Sequence, residues 1–161
     1  MIYGGNYTME YFIKKFTKEE EYNNELYALE KLNNSGLTPK LYEVNPSKLE
    51  IKMEKILMPQ FDPFKIIEKG DDEVLAYAIA EYNAKKIMDR FGVAFYDWKA
   101  DNLFYDINIH KLIIIDFAGD ESKMIPYFNK KYIEDEYSFI KDPNYVSNPS
   151  FQKFKELITV Y

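Results

Sequence analysis

The chain contains no cysteine, which excludes disulfide staples and thiolate metal sites and leaves the redox compartment open. It has one histidine, His110, so a metal centre built on imidazole has little to draw on. Basic clusters are missing as well. Lys14-Lys15 and Lys130-Lys131 are isolated pairs in a chain of formal net charge −6, and such pairs ordinarily sit on solvated faces. A protein that neutralises nucleic-acid phosphates shows a basic stripe, so nucleic acid is not an expected partner. No apolar run approaches the length needed to span a bilayer, so no membrane association is expected. The first residues lack a basic region followed by an apolar run; no signal peptide is expected, and the default compartment is cytoplasmic, a host's cytoplasm if the source is viral. No internal repeat or low-complexity segment is visible.

What remains suits one globular domain. The chain has 161 residues with a hydrophobic fraction of 47%, enough to bury a core. Its 15 Tyr and 12 Phe, against a single Trp, supply packing area in a short chain. The opening reads as a hairpin: Ile2 and Tyr3, a turn at Gly4-Gly5-Asn6, then a strand from Thr8 to Phe16. A helix is expected from about Thr17, with Glu20 as its capping-box partner and Leu26, Leu29 and Leu32 on its apolar side. Asn33-Asn34-Ser35-Gly36 ends it. Strands are expected at Lys40–Glu43 and Leu49–Glu54.

Pro59 to Asp72 reads as a connector with room for one helical turn. A long helix should follow from Asp72 to Phe91, burying Leu75, Ile79 and Tyr82 and closed by Gly92. Short apolar runs at Val93–Phe95, Leu103–Tyr105 and Leu112–Ile115 predict strands, and the tail predicts helices at Asn129–Ile140 and Phe151–Val160.

The most informative stretch is FYDWKADNLFYDINIHKLIIIDFAGD. It sets Asp97 in a polar loop after one apolar run, Asn102 at the start of the next, and Asp116 directly after Ile113-Ile114-Ile115. An Asp that follows a buried strand is expelled to the strand end, where it often meets a cation. Taken singly, each of these residues is as well explained as a turn-former.

Together they resemble the signature of the protein-kinase-like superfamily. Asp97, Lys99 and Asn102 reproduce the spacing of its catalytic loop, and Asp116-Phe117-Ala118-Gly119 stands where its DFG turn stands. Upstream, Tyr11-Phe12-Ile13-Lys14 resembles the VAIK strand, with Lys15 as the alternative register, and Asn24–Leu29 resembles the helix whose Glu pairs with that lysine. Glu25 is the implied partner, with Glu30 as the other choice. Met53-Glu54-Lys55-Ile56 resembles the hinge that receives adenine, with Met53 as gatekeeper.

The resemblance implies an α+β, minimal bilobal kinase-like fold. A small antiparallel sheet and one helix would form residues 1–56, a hinge and connector 57–71, and a reduced, mostly helical lobe 72–161. It also implies ATP and Mg2+ as cofactors. Asp97 would orient the acceptor and Lys99 would offset phosphoryl charge. Lys14, Glu25, Met53, Glu54 and Ile56 would serve the nucleotide, and Asn102 and Asp116 would hold the metal.

The departures are equally specific. No GxGxxG loop exists, since Gly4-Gly5 lies too close to Lys14 to be followed by a full strand. The HRD triplet is Phe95-Tyr96-Asp97, Ala118 replaces the first Gly of the DFG turn, and no APE motif follows. Two functions are therefore expected to compete. One is an active minimal kinase, acting on Ser or Thr of a protein because Lys99 follows that pattern, or on a small molecule as aminoglycoside- and choline-kinase relatives do. The other is a kinase-shaped module that engages a regulatory protein partner without catalysis. A metal-dependent hydrolase using Asp97, Asp101 and Asp116 would need more ligands, and His110, in the turn Asn108–Lys111, is expected to face solvent.

Overall fold

The computed structural model describes residues 10–95 and 98–119. The first strand and turn of the expected opening hairpin, and the two expected tail helices, lie outside the described residues. So does Asp97.

Eight elements follow one another: β1 (Tyr11–Lys15), α1 (Glu19–Lys31), β2 (Leu41–Asn45), β3 (Glu50–Glu54), α2 (Pro63–Lys69), α3 (Asp71–Arg90), β4 (Leu103–Asp106) and β5 (Lys111–Ile114). The first three strands form an antiparallel sheet in the order β1-β3-β2, and β4 and β5 form a two-stranded antiparallel sheet. The result is a mixed α/β fold with small antiparallel sheets and three described α-helices, in keeping with the α+β class that the sequence predicts.

The pairing of β1 with β3 sets Phe12 opposite Met53 and Lys14 opposite Ile51. Side chains alternate along a strand, so these four share one face. Tyr11, Ile13 and Lys15 take the other, where Lys52 lies over the Tyr11 ring at 4.1 Å and Lys15 pairs with Glu50 at 3.3 Å.

Helix α1 departs from its expected start. Lys18 occupies the cap position with extended backbone and makes no side-chain cap bond, so Thr17 is not the cap. The acidic first turn Glu19-Glu20-Glu21 meets the positive end of the helix dipole instead. One flank of α1 closes a small core of Phe16, Tyr22, Leu29, Ile51 and Met53. Ala28 and Leu32 reach into the larger core, which gathers Leu75, Ile79, Tyr82 and Met88 of α3 with Leu103, Leu112 and Ile114 of the second sheet.

The connector holds more helix than expected. Asp62 accepts hydrogen bonds from the Phe64 and Lys65 amides at 3.0 and 3.4 Å, and Pro63 opens a seven-residue α2. Backbone bonds from Phe61 N–H to Leu103 and from Tyr105 N–H to Pro59 tie the connector to β4. Residues Val93–Phe95 are buried as expected but form no strand, because the run satisfies its apolar character by packing into the core rather than by joining a ladder. His110 is also not simply solvent-facing: its Nε2 lies 3.2 Å from Glu73 Oε2 on α3, and its side chain is only partly exposed. No described helix is long and apolar enough to cross a membrane.

Candidate active site

The two sheets flank a cavity of about 350 Å³ lined by Phe12, Lys14, Glu25, Pro39, Met53, Glu54, Lys55, Ile56, Asn102, Phe104, Ile115 and Asp116. That size falls in the range of small-molecule sites, the lining surface is mostly apolar, and Lys14, Glu25 and Asp116 meet at one end of it. The polar end is built from three elements. β1 supplies Lys14, α1 supplies Glu25, and the segment after β5 supplies Asp116.

Lys14 Nζ lies 3.3 Å from Glu25 Oε1 and 3.1 Å from Asp116 Oδ1. Lys15, the alternative register, points to the other sheet face with a side chain 74% exposed. Strand alternation and the register with β3 decide between the two.

Glu25 is almost wholly buried, and its second oxygen accepts a hydrogen bond from the Phe117 amide. Burial pushes its carboxyl above the usual carboxylate range; the Lys14 ammonium opposes that rise, the Asp116 charge adds to it, and the Phe117 amide bond opposes it. On the preceding position of α1, buried Asn24 donates to the Ala118 carbonyl at 3.4 Å. Two consecutive side chains of one helix therefore hold the segment from Phe117 to Ala118. Glu30, the other choice for the lysine's partner, is exposed.

Asp116 adopts φ of 69°, in the left-handed region that Asp tolerates better than most residues. This turn sends its carboxylate toward Lys14 while Phe117 drops into the larger core beside Phe95, at a ring-centroid distance of 4.9 Å. Asn102 is buried and lines the same cavity, and its backbone carbonyl accepts a bond from the Ile115 amide at 2.9 Å. That bond sets the start of β4 beside the segment that carries Asp116.

Asn102 and Asp116 offer hard oxygen donors, the kind magnesium takes. Magnesium uses one or two protein ligands and completes its shell with phosphate oxygens and water. The described residues, which do not include Asp97, contain no group of three or more His, Cys, Asp or Glu suited to a metal. Asp101 is exposed and does not line the cavity. Lys99 is exposed too and lies outside the cavity lining.

Of the hinge residues, Met53 is buried under the cavity, and Glu54, Lys55 and Ile56 line its edge. The sequence reading overlooked Phe12, Pro39, Phe104, Ile115 and Asn24. For Phe12 the signal was available, since it stands two residues before Lys14 on the same strand face.

No protein-family model and no curated protein matches the chain. A solved structure does: that of the kinase PK-1 of Cydia pomonella granulovirus, at a TM-score of 0.55 and 17% identity. The fold is kinase-like. The alignment covers 71% of this chain and 44% of the viral kinase, so the match spans less than half of that protein's length.

Proposed function

We propose that the chain is a Mg-ATP-dependent phosphotransferase, a minimal serine/threonine protein kinase that moves the γ-phosphoryl of ATP to a hydroxyl. The observation that carries this reading is the meeting of Lys14, Glu25 and Asp116 at the polar end of an apolar cavity. Taking a carboxylate out of water as fully as Glu25 costs stability, and a buried ionisable group paired with a cation in a cavity is a functional candidate on that ground.

In this reading the apolar end of the cavity receives the base, and the backbone of Glu54 to Ile56 offers it hydrogen bonds. Lys14, held by Glu25, binds the α- and β-phosphates. Asn102 and Asp116 would hold magnesium, which offsets phosphate charge when bound. Asp97 orients the acceptor hydroxyl and Lys99 offsets charge on the transferred group.

A second reading, a kinase-shaped module that binds a partner without transfer, draws on one observation: the Asp116 carboxylate already pairs through Oδ1 with the Lys14 ammonium, which competes with a metal for its charge.

The test is incubation of the purified chain with γ-labelled ATP, magnesium and a generic protein acceptor, beside Asp97→Asn and Asp116→Asn. Transfer by the parent and its loss in both variants, with folding unchanged, is the expected result. Equal transfer by either variant would show the site to be misassigned. Nucleotide binding with no transfer to protein or small-molecule hydroxyls would favour the second reading.

A further inference from the structure

The residue between Asp97 and Lys99 is Trp98, the only tryptophan in the chain. Lys99 has extended backbone and is exposed, so its neighbour Trp98 turns the other way and packs against the larger core. There the indole meets the Phe95 ring at a centroid distance of 5.9 Å and an interplanar angle of 71°. From α3, Lys85 sets its ammonium over the indole at 5.2 Å, within the range of a cation–π contact. Lys85 is only 7% exposed, and lysine is seldom so deeply buried. A buried ammonium is costly, and the π face offsets part of that penalty only while the indole stays beneath it. One turn earlier on the same side of α3 stands Glu81, whose Oε1 accepts from the Tyr77 hydroxyl at 3.3 Å. Tyr77 in turn stacks on Phe61 at 4.4 Å, so this side of α3 is itself held in place. The downstream end of the loop is fixed by bonds to its carbonyls, from the Asn102 amide to Lys99 at 3.0 Å and from the Gln60 side chain to Ala100 at 3.4 Å. At Trp98 the hold is a side chain.

We propose that Lys85 is a positioning residue for phosphoryl transfer: acting through the Trp98 indole, it sets the loop that carries Asp97 and Lys99. This rests on the phosphotransferase reading above and adds to it a residue of α3 that does not line the nucleotide cavity. Its loss should therefore be felt in turnover and spare the hold on the nucleotide.

The experiment measures kcat and KM for ATP in the full chain, Lys85→Met, Lys85→Arg, Trp98→Leu and the double variant Lys85→Met/Trp98→Leu. Tryptophan emission of the parent and of Lys85→Met reports on the one indole directly. Methionine keeps the length of the side chain and removes a buried charge, a change that often leaves stability level or raises it, so the variant should fold. Lys85→Met should lower kcat about 10- to 100-fold with KM for ATP within about twofold of the parent, as expected for a displaced catalytic loop. Its folded-state emission should shift, because the indole loses an ammonium at 5.2 Å. Lys85→Arg keeps a cation able to lie on the indole and should restore most of kcat. In the Trp98→Leu background, Lys85→Met should cost less than about twofold more, since the two side chains act as one unit. A kcat for Lys85→Met within about twofold of the parent would overturn the proposal. So would equal fold losses in both backgrounds, because Lys85 would then support the fold without the indole. In either case transfer by the parent leaves the phosphotransferase reading standing. A parent chain that transfers to neither protein nor small-molecule hydroxyls would overturn both.

Discussion

Glu25 offers a test in which stability and function should part. Its carboxylate is buried at 2% exposure, where a charge is costly, and its partner Lys14 still reaches solvent with a side chain 26% exposed. Replacing it by Gln keeps the shape and leaves an oxygen to accept the Phe117 amide bond. That bond ceases to be charge-assisted, a loss of about 1–2 kcal/mol, and Lys14 keeps Asp116 as a partner. Against this stands relief from burying a charge, which is often worth as much or more.

The pH dependence gives the sign. Burial raises the folded-state pKa of Glu25 above its unfolded value, so between the two the folded state binds more protons than the unfolded one. Its contribution to stability is thus fully present below the ordinary glutamate range and is lost as pH rises through the raised folded value. Gln does not titrate. We expect Glu25→Gln to be the less stable protein near pH 4 and to gain on the parent as pH rises. Near pH 7 its Tm should lie no more than about 4 °C below the parent's, given about 2–4 °C per kcal/mol for a chain of this size. Nucleotide affinity should fall at least about tenfold in the same variant, through loss of the group that steadies Lys14. Thermal denaturation across pH 4–8 reads the first effect and titration with ATP reads the second. A stability deficit that widens with pH would refute the reasoning, because the carboxylate would then be stabilising in its charged form.

The other predictions rest on single contacts. Lys14→Ala should abolish measurable ATP binding, whereas Lys15→Ala, which removes only an outward pair with Glu50, should leave binding unchanged and shift stability by less than about 1 kcal/mol; parallel titrations and melts check both. Gly92 ends α3 at φ 71°, and a Cβ there would meet only the Tyr27 hydroxyl at 3.7 Å, so Gly92→Ala should cost about 1–2 kcal/mol from backbone strain rather than from a clash, read as a lower urea midpoint at unchanged m.

What could be read in advance divides along physical lines. Glu25 stands out only through the resemblance of Asn24–Leu29 to the kinase helix, and Asp116 because an acid that ends an apolar run is expelled to the strand end; both line the cavity. The choice between Lys14 and Lys15 was not legible, since adjacent residues face opposite ways and only the pairing with β3, some forty residues further on, selects one. The His110–Glu73 contact, spanning a separation of 37 residues, was hidden for the same reason. Val93–Phe95 misled because a short apolar run is equally at home in a strand or in a core without one. By contrast, the start of α2 was available in Asp62-Pro63, a cap followed by a proline at the first helical position, and was passed over in favour of the surrounding prolines and charge.

The position of α1 ties these observations together. Tyr22 and Leu29 anchor it to the three-stranded sheet, Ala28 and Leu32 anchor it to the larger core, and Asn24 and Glu25 hold the segment after β5. A rotation of the helix that freed Glu25 from Lys14 would also uncover Leu29, withdraw Asn24 from Ala118 and strand a charge in a dry interior. These losses fall together rather than one by one, so the helix resists small displacements and tolerates only an alternative that repacks both cores. Such coupling orders the polar end of the cavity through packing together with the hydrogen bonds and ion pairs of Asn24, Glu25 and Lys14. The candidate site is therefore supported by the same apolar contacts that hold the fold, and substitutions in the small core at Leu29 or Ile51 should disturb Lys14 and Asp116 before they unfold the chain.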